Sequence, residues 1–185
     1  MTMSTVQTLL TADEYFRLPD DGRRTELVQG RIVEMSRPGG KYGRVCVRIA
    51  YFMEGYREQH DTGHVLGNDT GIITERGPDT IRGADVSWIS YARLPKHLLP
   101  EGYPDTAPNL VFEVRSPNDR WRAIHEKIAE YFACGVEYVV IADPQRETVR
   151  VYTPDEPDTI LRGEDLLEFP QLLPGFSLAV CRLFE

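Results

Sequence analysis

Apolar and polar positions along this chain change period several times, and each change marks an element. LTADEYFRLP, residues 10–19, predicts a short helix: Thr11 and Glu14 have capping-box spacing and Pro19 stops the run. ELVQGRIVEM predicts a hairpin turning at Gln29-Gly30. After the loop SRPGGKYG, apolar residues recur at helical spacing (Val45, Ile49, Phe52, Met53, Tyr56) and predict one long amphipathic helix. HVLGN and TGIIT predict a pair of short strands, and ERGPDTIRG a loop. ADVSWIS predicts a strand with Val86 and Trp88 on one face and Asp85 and Ser87 on the other. A long connection with one helical turn (91–108) leads to the strand NLVFEVR. SPNDR then opens a second long helix, with Asn118 or Asp119 as its cap, and Gly135 ends it. VEYVVIAD reads as a central strand, ETVRVYT as an alternating one, and LLEFPQLLPGFSLAVCRLF as apolar tail that must pack somewhere. Helix, strands, helix, strands give an α/β (α+β) domain with a mixed sheet, a single domain over residues 1–185.

One position breaks the apolar pattern. Glu113 stands inside Leu110, Val111, Phe112 and Val114, and an unpaired buried carboxylate is costly. Strand alternation puts Arg115 on the same face, so a local Glu113–Arg115 ion pair is the simplest expectation. Asp85 adds a second acid on the less apolar face of its strand, and two acids held together favour a bound cation. On the second long helix, Lys127 is three residues after Ile124 and four before Tyr131, on or beside the inward stripe. Spacing favours a lysine that snorkels to solvent, and also permits one that reaches over the sheet to a carboxylate or phosphate. Glu26, at the entry to the hairpin, is another acid beside apolar residues.

Composition narrows the field only slightly. The chain is 41% hydrophobic and 27% charged, with no stretch long enough to span a bilayer. Its first residues lack the pattern of a signal peptide, so a cytoplasmic location is expected. Cys46, Cys134 and Cys181 form no CxxC pair and read as free thiols; His60 and His64, separated by a turn, read as surface loop residues. Net charge is −8, yet residues 17–57 carry nine basic and five acidic side chains, so a locally basic flank sits on an acidic body.

Several segments in order carry a family resemblance. Asp85, followed 28 residues later by Glu113 in an E-x-(K/R) context, looks like the PD-(D/E)XK nuclease signature. ELVQGRIVEMS, RPGGKYGRV, RGADVSW, APNLVFEVRSPNDR, EKIAEYFACGVEYVVIADP and LLPGF together resemble the Uma-type family, described as putative restriction endonucleases, from about Thr11 to Phe184. The resemblance implies a restriction-endonuclease-like PD-(D/E)XK core with flanking helices and an added N-terminal hairpin. It implies catalytic Glu26, Asp85, Glu113 and Lys127, with Glu26, Asp85 and Glu113 as ligands of Mg²⁺ (or Mn²⁺). Lys127 replaces a strand lysine whose position Arg115 occupies. Arg115, Tyr42, Lys41 and Arg44 become candidate substrate contacts. Ala84 stands where the family has proline, and Tyr42 where relatives often have histidine; Pro78-Asp79 and Pro104-Asp105 are decoy pairs in loops.

The leading expectation is a Mg²⁺-dependent endonuclease acting on DNA, since hard oxygen ligands suit such ions and one or two of them activate water and clamp phosphate. The alternative is a non-catalytic nucleic-acid-binding or assembly module on the same fold. A two-carboxylate sugar hydrolase is a third reading that leaves Lys127 without a role. The apolar tail and the aromatics Tyr51, Tyr56 and Trp121 suggest a homodimer.

Overall fold

The computed structural model describes residues 9–185. The leader region read above as lacking a signal peptide lies partly outside them. Helix α1 (Ala12–Phe16) begins at Thr11, whose side chain accepts from the Glu14 N–H while Glu14 reaches back to the Thr11 N–H, so the expected capping box is formed. Strands β1 (Thr25–Val28) and β2 (Arg31–Glu34) make the expected hairpin, with Gln29 and Gly30 both at positive φ in its turn. Helix α2 (Gly40–His60) buries Tyr42, Val45, Ile49, Met53 and Tyr56.

Three expectations change in the middle of the chain. The two short strands are one strand, β3 (Gly63–Glu75), whose pairing slips between Gly67 and Thr70. Positive φ at Asn68 and Asp69 builds this bulge, which sequence read as a break. The expected loop ERGPDTIRG is largely strand, because β4 starts at Thr80 and runs to Ser90. Asp79, discounted as part of a decoy pair, is buried and accepts the Ala12 N–H at 2.7 Å, tying α1 to the β3–β4 turn.

After a single helical turn at Lys96–Leu98 come β5 (Leu110–Val114), α3 (Trp121–Ala133), β6 (Tyr138–Asp143) and β7 (Thr148–Tyr152). The start of α3 differs from expectation. Its N-cap is Arg120, and neither Asn118 nor Asp119 caps it; the Asp119 carboxylate closes a turn with the Ser116 N–H at 2.7 Å. Strand β8 (Thr159–Arg162), not foreseen, adds an exposed edge, and the tail folds into a hairpin of β9 (Leu166–Phe169) and β10 (Leu173–Ala179).

The main sheet has the order β2-β1-β4-β5-β6-β7-β8, with β3 also on β4; among the described residues only β5 and β6 pair in parallel. Helix α2 and the β9–β10 hairpin cover one face, burying Val86, Trp88, Phe112, Phe169 and Phe176 together. Helix α3 covers the other with Ile128 and Tyr131 against Val111, Val139 and Ile141. The arrangement is the expected mixed α/β sheet. The tail, Tyr56 (7% exposed) and half-buried Trp121 are thus accommodated within the chain, which removes most of what suggested a homodimer; Tyr51 alone of those aromatics is exposed. His64 is buried, not a surface residue, and donates to the Leu94 carbonyl, while exposed His60 donates to its own helix at Tyr56. The three cysteines are free and half-buried. Among the described residues, no helix is long and apolar enough to cross a membrane.

β4 has three partners and only two edges. β3 takes one edge along its length; β1 pairs with the other at Ile81, and β5 pairs with it at Val86–Trp88. Between residues 81 and 86 that second edge is left open as a fork, and this fork positions the site.

Replacing Asp79 by alanine strands the Ala12 N–H and removes one of two carboxylate partners of Arg76, and is expected to cost about 1–3 kcal/mol at pH 7. These donors outweigh burial and hold the Asp79 carboxyl below its ordinary range. Its contribution is therefore full above the unfolded value near 3.9 and is lost as pH falls through the lower folded value. Parallel urea titrations should show the deficit shrinking from pH 7 to pH 3.

Candidate active site

In the fork, the main chain of Gly83 is served by side chains instead of a neighbouring strand. Its N–H donates to Glu26 Oε1 at 3.1 Å, and its carbonyl accepts from Lys127 Nζ at 2.9 Å. Burial without such partners would be costly, so the fork selects an acceptor and a donor at these two places.

Lys127 does not snorkel. Its ammonium lies 2.8 Å from Glu113 Oε1 and 3.2 Å from Glu26 Oε1, with the side chain only 19% exposed. Arg115 is not the partner of Glu113 either: it turns to Asp143 at 2.8 Å and lies over the Trp121 ring, 5.0 Å from its centroid. The expected ion pair on β5 is therefore replaced by one that arrives from α3. Tyr131, one turn along α3, donates its hydroxyl to the same Glu113 oxygen at 2.6 Å. Among the described residues nothing hydrogen-bonds the other oxygen, Oε2.

The electrostatics separate the acids. Burial alone would raise Glu26, but Lys127 and Arg82 outweigh it and hold its carboxyl low. Burial dominates at Glu113 and, with Asp85 nearby, pushes its carboxyl up to about 7 despite Lys127. Asp85 is also raised by burial, although Tyr42 and the Val114 N–H both donate to it, the latter at 2.7 Å. For Lys127, burial favours loss of the proton, yet Glu113 and Glu26 outweigh it and keep the ammonium charged.

A cleft of about 450 Å³ opens over this cluster, lined among others by Arg24, Glu26, Tyr42, Glu113, Arg115 and Lys127. Residues 12–181 match the family Uma2, described as "Putative restriction endonuclease". The chain belongs to the Uma2 family. Its fold is similar to that of a solved structure described as a putative nuclease belonging to DUF820 from Anabaena variabilis ATCC 29413, at 20% identity and a TM-score of 0.77, over 95% of this chain and 97% of that one. That likeness agrees with a restriction-endonuclease-like fold. A search of curated proteins finds no match.

The expected site residues of this Uma2 chain divide into two groups. Glu26, Glu113 and Lys127 meet directly, and Asp85 joins them through Val114, the neighbour of Glu113. Arg115 and Tyr42 line the cleft; Tyr42 is buried, with its hydroxyl on Asp85. Lys41 and Arg44 do not line it. Lys41 is exposed, and Arg44 Nε donates to the Glu185 carbonyl at 3.0 Å. Among the described residues, no three His, Cys, Asp or Glu side chains form a group that could hold a metal, so the expected three-acid set is not assembled. Glu26 is already matched by Arg82 at 2.9 Å, the Gly83 N–H and Lys127.

Sequence reasoning missed Arg82, which bridges Glu26 and Glu130, because it fell in an expected loop. It read Tyr131 as plain apolar stripe; a tyrosine at a fully buried position needs a hydroxyl partner, which was the available signal.

Lys127→Met leaves Glu26 and Glu113 facing each other, and is expected to cost about 3–5 kcal/mol at pH 8. Glu113, its carboxyl raised to about 7, holds its proton more tightly folded than unfolded, so lowering the pH from there toward about 4.3 stabilises the folded chain. Urea unfolding should show the Lys127→Met deficit shrinking by pH 5; a deficit independent of pH would contradict this role.

Proposed function

We propose that this chain is a Mg²⁺-dependent endonuclease that hydrolyses phosphodiester bonds in DNA. The observation that carries this reading is the buried Lys127 ammonium set against Glu113 in an open cleft, with a second raised carboxyl, Asp85, buried behind the cleft-lining Tyr42 and Val114. Such a cluster of perturbed acids and a desolvated cation marks sites of chemistry more often than of plain support.

The donors present fit a hard cation. Glu113 Oε2 accepts no hydrogen bond among the described residues, and both Glu113 and Asp85 are raised, the condition in which added positive charge is most favourable. Two carboxylates suffice, because Mg²⁺ keeps several waters and needs few protein ligands. Asp85 and Glu113 are thus the proposed holders. When bound, the ion supplies a more acidic water and charge neutralisation at phosphate.

The chain's own residues do the rest. Lys127, kept charged by two carboxylates, supplies positive charge beside Glu113 that stabilises negative charge developing on the attacked phosphate. Glu26 acts as the anchor of Lys127 and of the Gly83 main chain, a reassignment from the metal-ligand role the resemblance implied. Tyr131 and Lys127 pin one Glu113 oxygen and leave the other without a hydrogen bond among the described residues. Tyr42 fixes Asp85. Arg115, on the cleft wall and held by Asp143, borders the path of the strand. A homodimer is the simplest way for such a site to cut both strands, and light scattering tests it directly.

Supercoiled plasmid incubated with Mg²⁺ should be nicked by the unaltered protein. Glu113→Ala and Lys127→Ala should each lose roughly a hundredfold or more in rate. EDTA should abolish cutting. Cleavage that persists in EDTA, or is equal in Glu113→Ala, would refute the reading; no cleavage by the unaltered protein with Mg²⁺ would favour the binding-module alternative.

A further inference from the structure

Arg24 lines the cleft, and none of the roles above uses it. Its setting is built at some cost. The bulge in β3 places two consecutive non-glycine residues, Asn68 and Asp69, at φ 59° and 58°, in the left-handed region that side chains disfavour. Glycine at residue 83 of β4 makes room for the bulge. A Cβ there would lie 3.0 Å from the Asp69 Cβ and 3.1 Å from the Asp69 carbonyl oxygen.

What the bulge presents is the Asp69 carboxylate. It takes both Arg24 Nε, at 2.7 Å, and Nη2, so the fork fixes the plane of the guanidinium. The same Nη2 lies 3.7 Å from Asp85 Oδ1. Of the cleft's other arginines, Arg82 is committed to Glu26 and Glu130 and Arg115 to Asp143 and the Asp119 carbonyl, while Arg120 is exposed and, unlike Arg24, is aimed by no carboxylate among the described residues. Arg24 Nη1 has only a 3.4 Å contact with the Ser36 carbonyl, and the side chain is 26% exposed. A rigidly oriented planar guanidinium with donor capacity to spare, next to an acid proposed to hold a cation, suits an oxyanion such as a phosphodiester, whose two non-bridging oxygens it can meet through N–H groups.

We infer that Arg24 contacts a phosphate of the bound nucleic-acid strand beside Asp85, and that Asp69 is the positioning residue that aims it. The inference rests on the nuclease reading. It also gives Gly83 a second duty, since that residue both offers its main chain to Glu26 and Lys127 and makes room for Asp69.

The test is the salt dependence of binding to a fluorescein-labelled DNA duplex, read by anisotropy with Ca²⁺ at fixed concentration in place of Mg²⁺. Each phosphate contact contributes about 0.9 to the slope of log K against log salt. Arg24→Gln should lower the slope by about 0.9. Asp69→Asn keeps the charge of Arg24, so it should retain the slope while weakening binding severalfold and raising KM for cleavage. The double variant Arg24→Gln/Asp69→Asn leaves net charge unchanged and neither partner unpaired. It should show the same lowered slope, and it carries the test if Arg24→Gln alone does not fold by circular dichroism. An unchanged slope in a folded variant lacking Arg24 overturns the inference and leaves the pair a support of the bulge. Failure of the unaltered protein both to bind duplex and to cut it with Mg²⁺ overturns the nuclease reading and this inference together.

Discussion

A lysine ammonium held between two carboxylates is the contact on which the rest of this site depends. Lys127 comes from α3, Glu26 from β1 and Glu113 from β5, and the same ammonium reaches the main chain of β4 at Gly83. Four elements meet at one charge. The fork in the sheet makes this possible: β1 and β5 share an edge of β4 and part between residues 81 and 86, so polar main chain is exposed where a continuous sheet would have hidden it. A lysine elsewhere on α3 could not close that gap, and a fully paired strand would have no use for one.

The charges around the fork form a chain of alternating sign. Glu130 holds Arg82, Arg82 holds Glu26, Glu26 holds Lys127, and Lys127 holds Glu113. Apart from part-exposed Glu130 the ions are largely buried, so each depends on its neighbour being in place. Compensation is complete at Glu26 and incomplete at Glu113 and Asp85, where burial prevails. The surplus of buried negative charge is therefore located at the two acids next to the cleft, with the matched pairs behind them.

Local signals were legible in the sequence. Thr11 and Glu14 are three residues apart, Gln29-Gly30 is a turn pair, and the Val45–Tyr56 stripe has helical period; each is decided by its own neighbours. The family resemblance, too, pointed to Glu26, Asp85, Glu113 and Lys127 as one constellation. What sequence could not supply was partner choice across the fold. Arg115 is nearer to Glu113 along the chain than Lys127 is, yet Asp143 on the adjacent parallel strand captures it. The bulge at Asn68-Asp69 was equally hidden, because two polar residues that unpair for one step look the same as a loop between two strands. Its reason for existing, Arg24, lies 45 residues away.

The cation stacking on Trp121, one of whose partners is the cleft-lining Arg115, has an optical consequence. Of the two tryptophans, Trp88 is sealed in the core and Trp121 is half-buried at the start of α3, with the guanidiniums of Arg115 and Arg150 each 5.0 Å from its ring centroid. Trp88 emission reports on whether the sheet and α2 stay packed. Trp121 emission instead follows the two guanidiniums stacked on it, and any polyanion that draws the cleft-lining Arg115 aside alters that ring's surroundings directly. The molecule thus has two intrinsic fluorophores, one for the integrity of its interior and one for the occupancy of its entrance, and replacing either with phenylalanine isolates the signal of the other.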